Sequence, residues 1–139
     1  MKSITIKHEI LGRSVVTQVE EQTMRDDDSL LPFLRQQIDC RTIERVEVTL
    51  QGKQVTIWLD EEGLYQRNEA FESLAGPGKL IGFLVQDDDG RKYPIAGTLV
   101  LTGSDNDDSE RVNDVPFNQA TLRELFGSQI TPVTINSFQ

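Results

Sequence analysis

Residues 44–63, ERVEVTLQGKQVTIWLDEEG, limit the fold more than any other part of the chain. Val46, Val48 and Leu50 alternate with charged or polar residues, and Val55, Ile57 and Leu59 do the same beyond Gln51-Gly52-Lys53. A period of two turns one side of each run towards a core and the other towards solvent, which is the signature of a strand. A short glycine-bearing connection is what closes antiparallel strands. The spacing therefore predicts a β-hairpin over residues 44–59 against which the rest packs, with Asp60, Glu61, Glu62 and Gly63 marking where the chain leaves the sheet. Trp58 falls on the face opposite Val55, Ile57 and Leu59. Either this strand is buried on both faces or it presents an aromatic at a binding surface.

Other elements can be placed around that hairpin. Ile4 and Ile6 alternate with Thr5 and Lys7, and SVVTQV follows Leu11-Gly12, so residues 2–20 read as a strand pair forming a sheet edge. Residues 20–28 turn polar and acidic and read as a solvated loop. Ser29 is placed to cap a helix over residues 30–39, with Pro32 in its first turn and Leu30, Leu31, Leu34 and Ile38 on one face. Asn68 starts a short helix, EAFESLA, with Ala70, Phe71, Leu74 and Ala75 on its apolar side, and Gly76-Pro77 stops it. KLIGFLV and IAGTLVLTG read as a hairpin around the Asp87–Gly90 turn, the second run lying deep in the sheet. Residues 104–114 form a second acidic loop. Asn118 caps a last helix with Leu122, Leu125 and Phe126 inward and Gly127 as its stop, and residues 128–139 are a tail that adds a strand or stays loose. The expected class is α+β: one domain over residues 1–139, mainly an antiparallel sheet of about five to six strands with two or three short helices on it.

Charge and residue inventory narrow the chemistry. The 139 residues carry 23 Asp+Glu against 14 Lys+Arg, a formal net charge of −9, which repels phosphate backbones and leaves no basic patch for direct nucleic-acid binding. Cys40 is the single cysteine, so no disulfide forms within the chain and a reducing cytoplasm is expected. No secretion signal and no membrane-spanning apolar run is read. His8 is the only histidine and is read as structural; with one His and one Cys far apart, neither a zinc set nor a Cys-His pair is suggested. A calcium loop begun at Asp105 fails, because its sixth position is Glu110 and its twelfth Pro116. GPGK at residues 76–79 lacks the spacing and the following Ser/Thr of a phosphate loop. No catalytic residues, metal ligands or cofactor are assigned, and the chain is read as non-enzymatic.

IWLDEEGLYQRNEAFESLA followed by IAGTLVLTGSDNDD resembles an uncharacterised domain family of small phage, plasmid and bacterial proteins. The resemblance rests on Glu61, Glu62, Gly63, Asn68, Ala70, Gly97 and Gly103 and covers residues 4–108. The chain departs from that pattern in KLIGFLVQDDDGRKYP and in residues 109–139. The resemblance implies an accessory protein of mobile elements and supplies no established activity. With it, the leading expectation is a protein that binds and occupies a partner macromolecule, a host or phage protein, through acidic loops at Asp60, Glu61, Glu62, Asp105, Asp107 and Asp108. A second reading is a small-ligand site, for example for a nucleotide, near Glu61, Arg67 and Asn68 between strand and helix. A carboxylate-bound metal enzyme is the third. Self-association through an exposed sheet edge is the remaining expectation.

Overall fold

The computed structural model describes residues 1–104 and 112–137. Asp105, Asp107 and Asp108, with most of the second acidic loop, lie outside the described residues. Two strands of ten residues each, β1 (Lys2–Leu11) and β2 (Ser14–Thr23), pair antiparallel in one unbroken register from Lys2–Thr23 to Leu11–Ser14. Helix α1 (Leu30–Ile38) follows, and then β3 (Ile43–Leu50) and β4 (Lys53–Asp60), whose antiparallel register runs from Ile43–Asp60 to Leu50–Lys53. The expected central hairpin is therefore present, and its turn is the two residues Gln51-Gly52, both in the left-handed region at φ 50° and 75°. That conformation matches the twist of the flanking strands and is the one glycine adopts most readily. A single 3-10 turn (Gly63–Tyr65) and α2 (Glu69–Ala75) lead into β5 (Lys79–Gln86) and β6 (Lys92–Ala96). The chain ends with β7 (Leu99–Gly103), α3 (Gln119–Leu125) and β8 (Ile130–Asn136).

The α+β class holds, and the eight strands among the described residues divide between two antiparallel sheets: five in the order β2-β1-β7-β4-β3 and three in the order β6-β5-β8. Three sequence expectations are corrected by this topology. The run IAGTLVL is two strands, not one: β6 pairs with β5, the chain turns at Gly97 with φ 86°, and β7 enters the other sheet as its middle strand. The centre of the large sheet is thus β7, and the predicted hairpin supplies β4 and the edge strand β3. The polar loop expected from residue 20 begins later, because β2 runs to Thr23. Of the two readings of the tail from residue 128, the added strand is the one observed: it is β8, paired with β5 from Lys79–Asn136 to Val85–Ile130.

Alternation along the strands builds two apolar layers. Ile4, Ile6, Val55, Ile57, Leu59, Leu99 and Leu101 face Phe83, Val85, Ile95 and Ile130 of the small sheet, with Leu122 and Leu125 of α3 closing the same core. Most of these side chains are fully buried, and each aliphatic one contributes about 1.5–3 kcal/mol by leaving water. The opposite face of the large sheet carries Trp58 and Val100, on which α1 lays Leu30, Leu34 and Ile38. Trp58 is therefore buried, as one of the two sequence readings required, and its Nε1–H donates to Thr102 Oγ1 at 2.9 Å. Leu31, placed by spacing on the buried face of α1, is instead exposed. Ser29 occupies the N-cap position without a side-chain capping bond, whereas Asn68 and Asn118 accept from Phe71 N–H and Thr121 N–H as expected. Helix α1 rests on the central hairpin and on β7. Helix α2 packs on β5, burying Phe71 and leaving Leu74 exposed, and α3 packs near β2. No helix among the described residues is long and apolar enough to cross a membrane.

Candidate functional site

One end of the two-sheet stack opens into a cleft of about 450 Å³ where α1 ends, β4 ends and the chain passes from β6 to β7. Its lining includes Ile38, Asp39, Asp60, Gln66, Arg67, Asn68, Glu69 and, from β1, His8. Three of the sequence-predicted site residues, Asp60, Arg67 and Asn68, are thus brought together. Glu61 and Glu62 follow Asp60 on the exposed bend outside the cleft, so the acidic triplet does not act as one group.

The loop after β4 is shaped by Asp60, whose Oδ1 accepts from Glu62 N–H and whose Oδ2 accepts from Gln66 Nε2, both at 2.9 Å. This is a side chain standing in for a turn's backbone acceptor, and it fixes Gln66 and the two residues after it at the rim. Asn68 is committed through Oδ1 to the cap of α2. Arg67 is also engaged. Its Nε donates to Glu72 Oε1 at 3.0 Å and its Nη2 to Oε2 at 3.3 Å, while Gly78 N–H donates to Oε2 at 2.7 Å. Those bonds hold the Glu72 carboxyl below its ordinary pKa, the Gly78 N–H first and Arg67 second, and they raise the Arg67 guanidinium above its own. Arg67 is therefore a tethered cation, not an open anion receptor.

Asp39 was not singled out from sequence. It caps the C-terminus of α1 at φ 58°, ψ 57°, with its N–H bonded to Arg35 O at 2.8 Å. Two local rules are broken there: a left-handed C-terminal position favours Gly or Asn, and a helix C-terminus favours a cation. Glu69, at the start of α2, adds a third carboxylate to the lining. The cleft thus presents three carboxylates against one guanidinium that already has a carboxylate partner. Among the described residues no three His, Cys, Asp or Glu side chains come together in a group that could hold a metal ion.

His8 joins the two sheets. Its ring stacks on Phe83 with centroids 4.1 Å apart, Nε2 lies 3.0 Å from Gly82 O, and Nδ1 lies 3.0 Å from Thr17 Oγ1. A carbonyl can only accept, so Nε2 carries the proton and Thr17 donates to Nδ1. Burial pushes the His8 pKa below its ordinary value, the Gly82 bond opposing it. Gly82 has no room for a side chain, since a Cβ there would lie 2.1 Å from Ile95 O. The sequence reading of His8 as structural fits these contacts, although nothing in the sequence joined residues 8 and 82.

The architecture is a two-sheet α+β domain with an acidic end cleft. The chain belongs to the family described as a domain of unknown function (DUF3846), which matches residues 4–129. That span runs past residue 108, the limit of the sequence resemblance, and takes in α3. No curated protein and no solved structure matches the chain.

Proposed function

We propose that the protein is non-enzymatic and works by binding and occupying a partner macromolecule, with the end cleft taking up a basic side chain of that partner. The observation that carries this reading is the convergence of Asp39, Asp60 and Glu69 on one cleft together with the C-terminal end of α1. A guanidinium or ammonium group seated there would have carboxylates on the surrounding walls and the negative end of the helix facing it. The left-handed aspartate fits the same idea, because a locally unfavourable residue at a site is retained where it serves binding. The net charge of −9 would speed encounter with a basic surface. Taken with the sequence resemblance to mobile-element proteins, the partner class we propose is a host protein of the cytoplasm, antagonised or regulated by this accessory protein. Nucleotide phosphates suit the lining poorly, since they would meet three carboxylates and an arginine already held by Glu72.

The test is titration of the whole protein with an arginine-rich peptide, alongside Asp39→Gly and Asp60→Asn. Glycine adopts the left-handed conformation readily, so Asp39→Gly should fold at least as stably while binding weakens, and added salt should weaken the parent complex as well. Equal binding by parent and Asp39→Gly, or binding indifferent to salt, would remove the cleft from the mechanism.

A further inference from the structure

The two sheets have four edges, and three of them are protected against pairing with another strand. β6 is five residues long and contains Lys92 and Pro94, β8 contains Pro132, and β3 interrupts its apolar positions with Glu44, Arg45 and Glu47. Short length, proline and charge are how edges avoid pairing. β2 has none of these devices along its first six residues. It is ten residues long without Pro or Lys, its register with β1 contains no bulge, and residues 14–19, SVVTQV, carry no charge.

We infer that the outer edge of β2 docks a second copy of this chain, the two β2 strands pairing antiparallel about a two-fold axis at Thr17. The two-residue turn Gly12-Arg13 closes the β1–β2 ladder with Leu11 and Ser14 as its hydrogen-bonded end pair. Alternation along the ladder then turns the backbone N–H and C=O of Val15, Thr17, Val19 and Glu21 away from β1. Among the described residues, no backbone group of residues 14–21 bonds to any element other than β1. A pairing centred on Thr17 joins these free groups and sets Val15 opposite Val19 of the second copy. It also sets Arg13 opposite Glu21, twice by symmetry, so an attractive pair flanks each end of the uncharged stretch. No glutamate faces a glutamate in this register. A shift of two residues either way puts Glu21 opposite Val15 or Leu11 and loses the Arg13 pairing, so charge complementarity selects the centred arrangement. The result is one continuous sheet of ten strands made from two five-stranded ones.

The whole chain is measured by light scattering after size exclusion over a concentration series. The weight-average mass should rise from that of one chain towards twice it. Val15→Pro removes an outward N–H and leaves the β1 ladder intact, so it should hold the mass at one chain with an unchanged circular dichroism spectrum. Arg13→Glu should weaken dimerisation about tenfold, and adding Glu21→Arg should restore it. These two positions are exposed, so this pair of variants tests the register even where the proline variant fails to fold. A single-chain mass for the parent at every concentration overturns the proposal. So does a dimer that survives Val15→Pro in a folded protein, or a double reversal that fails to restore what Arg13→Glu lost. The cleft titration is independent of all these outcomes.

Discussion

The two hairpins of the large sheet start from nearly the same local chemistry and end in opposite situations. Each closes with a two-residue turn containing a left-handed glycine, Gly12 at φ 63° and Gly52 at φ 75°. In the second hairpin β4 lies between β3 and β7, and residues 55–59 are all buried. Its turn is also tied down: Asp88 accepts from Gln51 N–H at 3.0 Å, from Gly52 N–H at 2.8 Å and from Gln129 Nε2 at 2.8 Å. In the first hairpin β1 pairs with β7 only over Ile4–Ile6, so the far half projects beyond the sheet and leaves Leu11, Val15 and Val16 exposed. Beyond Ile6, His8 ties it to the small sheet by stacking on Phe83 and bonding to Gly82 O. Turn chemistry makes a hairpin; neighbouring strands decide whether it becomes core or reach.

The contrast can be broken or sharpened by substitution. The largest effect should come from the buried hairpin, where Ile57→Ala removes a side chain with no exposure and costs about 2–5 kcal/mol in denaturant unfolding. Asp88→Ala should lower the unfolding midpoint by less, since it strips acceptors from the second turn only. The acid limb of stability changes with it. The N–H groups of Gly52, with the Gln129 amide and Gln51 N–H, hold the Asp88 carboxyl below its ordinary 3.8, so its contribution is complete above that value and fades as pH falls through the lower folded pKa. The Ala variant should lose this dependence. Gly12→Ala and Gly52→Ala should each cost about 1 kcal/mol, alike despite their different surroundings, because the strain is local to the turn. In the first hairpin, the His8 pKa is depressed by burial, so the unfolded chain takes up its proton first as pH drops through 6.5. Stability is complete above 6.5 and declines below it down to the folded pKa, and His8→Gln should flatten that slope. Val16→Ala, at an exposed position, should stay within about 0.5 kcal/mol, and a loss as large as that of Ile57→Ala would erase the distinction between the hairpins.

Much of this fold was legible because its signals are local. The alternation in residues 44–59, the asparagine caps of α2 and α3 and the leucine spacing of α1 each follow from residues within one or two turns of each other. The division into two sheets was not legible. It depends on the chain bending at Gly97-Thr98, and IAGTLVL carries uninterrupted apolar character on both sides of that bend. Leu31 shows the limit of periodicity on a nine-residue helix: its spacing places it with Leu30, Leu34 and Ile38, yet it is exposed while they are buried. At the cleft, Asp60, Arg67 and Asn68 were found because they lie within nine residues. Asp39 and His8 come from distant elements, and Asp39 carried only one usable signal: an aspartate at the end of a helical pattern where a cation or glycine is expected. Asp87 and Asp88 read only as part of a hairpin turn, yet Asp88 closes the β3–β4 turn and Asp87 Oδ1 accepts from Asp89 and Arg91 N–H. Nothing in DDDG distinguishes a bend that faces water from one that satisfies a distant backbone.

Trp58, the chain's single tryptophan, sits beneath α1 in the smaller of the two apolar layers. Tryptophan emission, excited where tyrosine does not absorb, is therefore a private signal of that layer: it reports the helix lifting off, whereas Tyr93, packed on the main interior between the sheets, stays silent. A melt followed by emission and one followed by far-ultraviolet ellipticity would coincide only when helix and sheets come apart together. Any gap between the curves would time the detachment of α1, the element whose end forms one wall of the cleft.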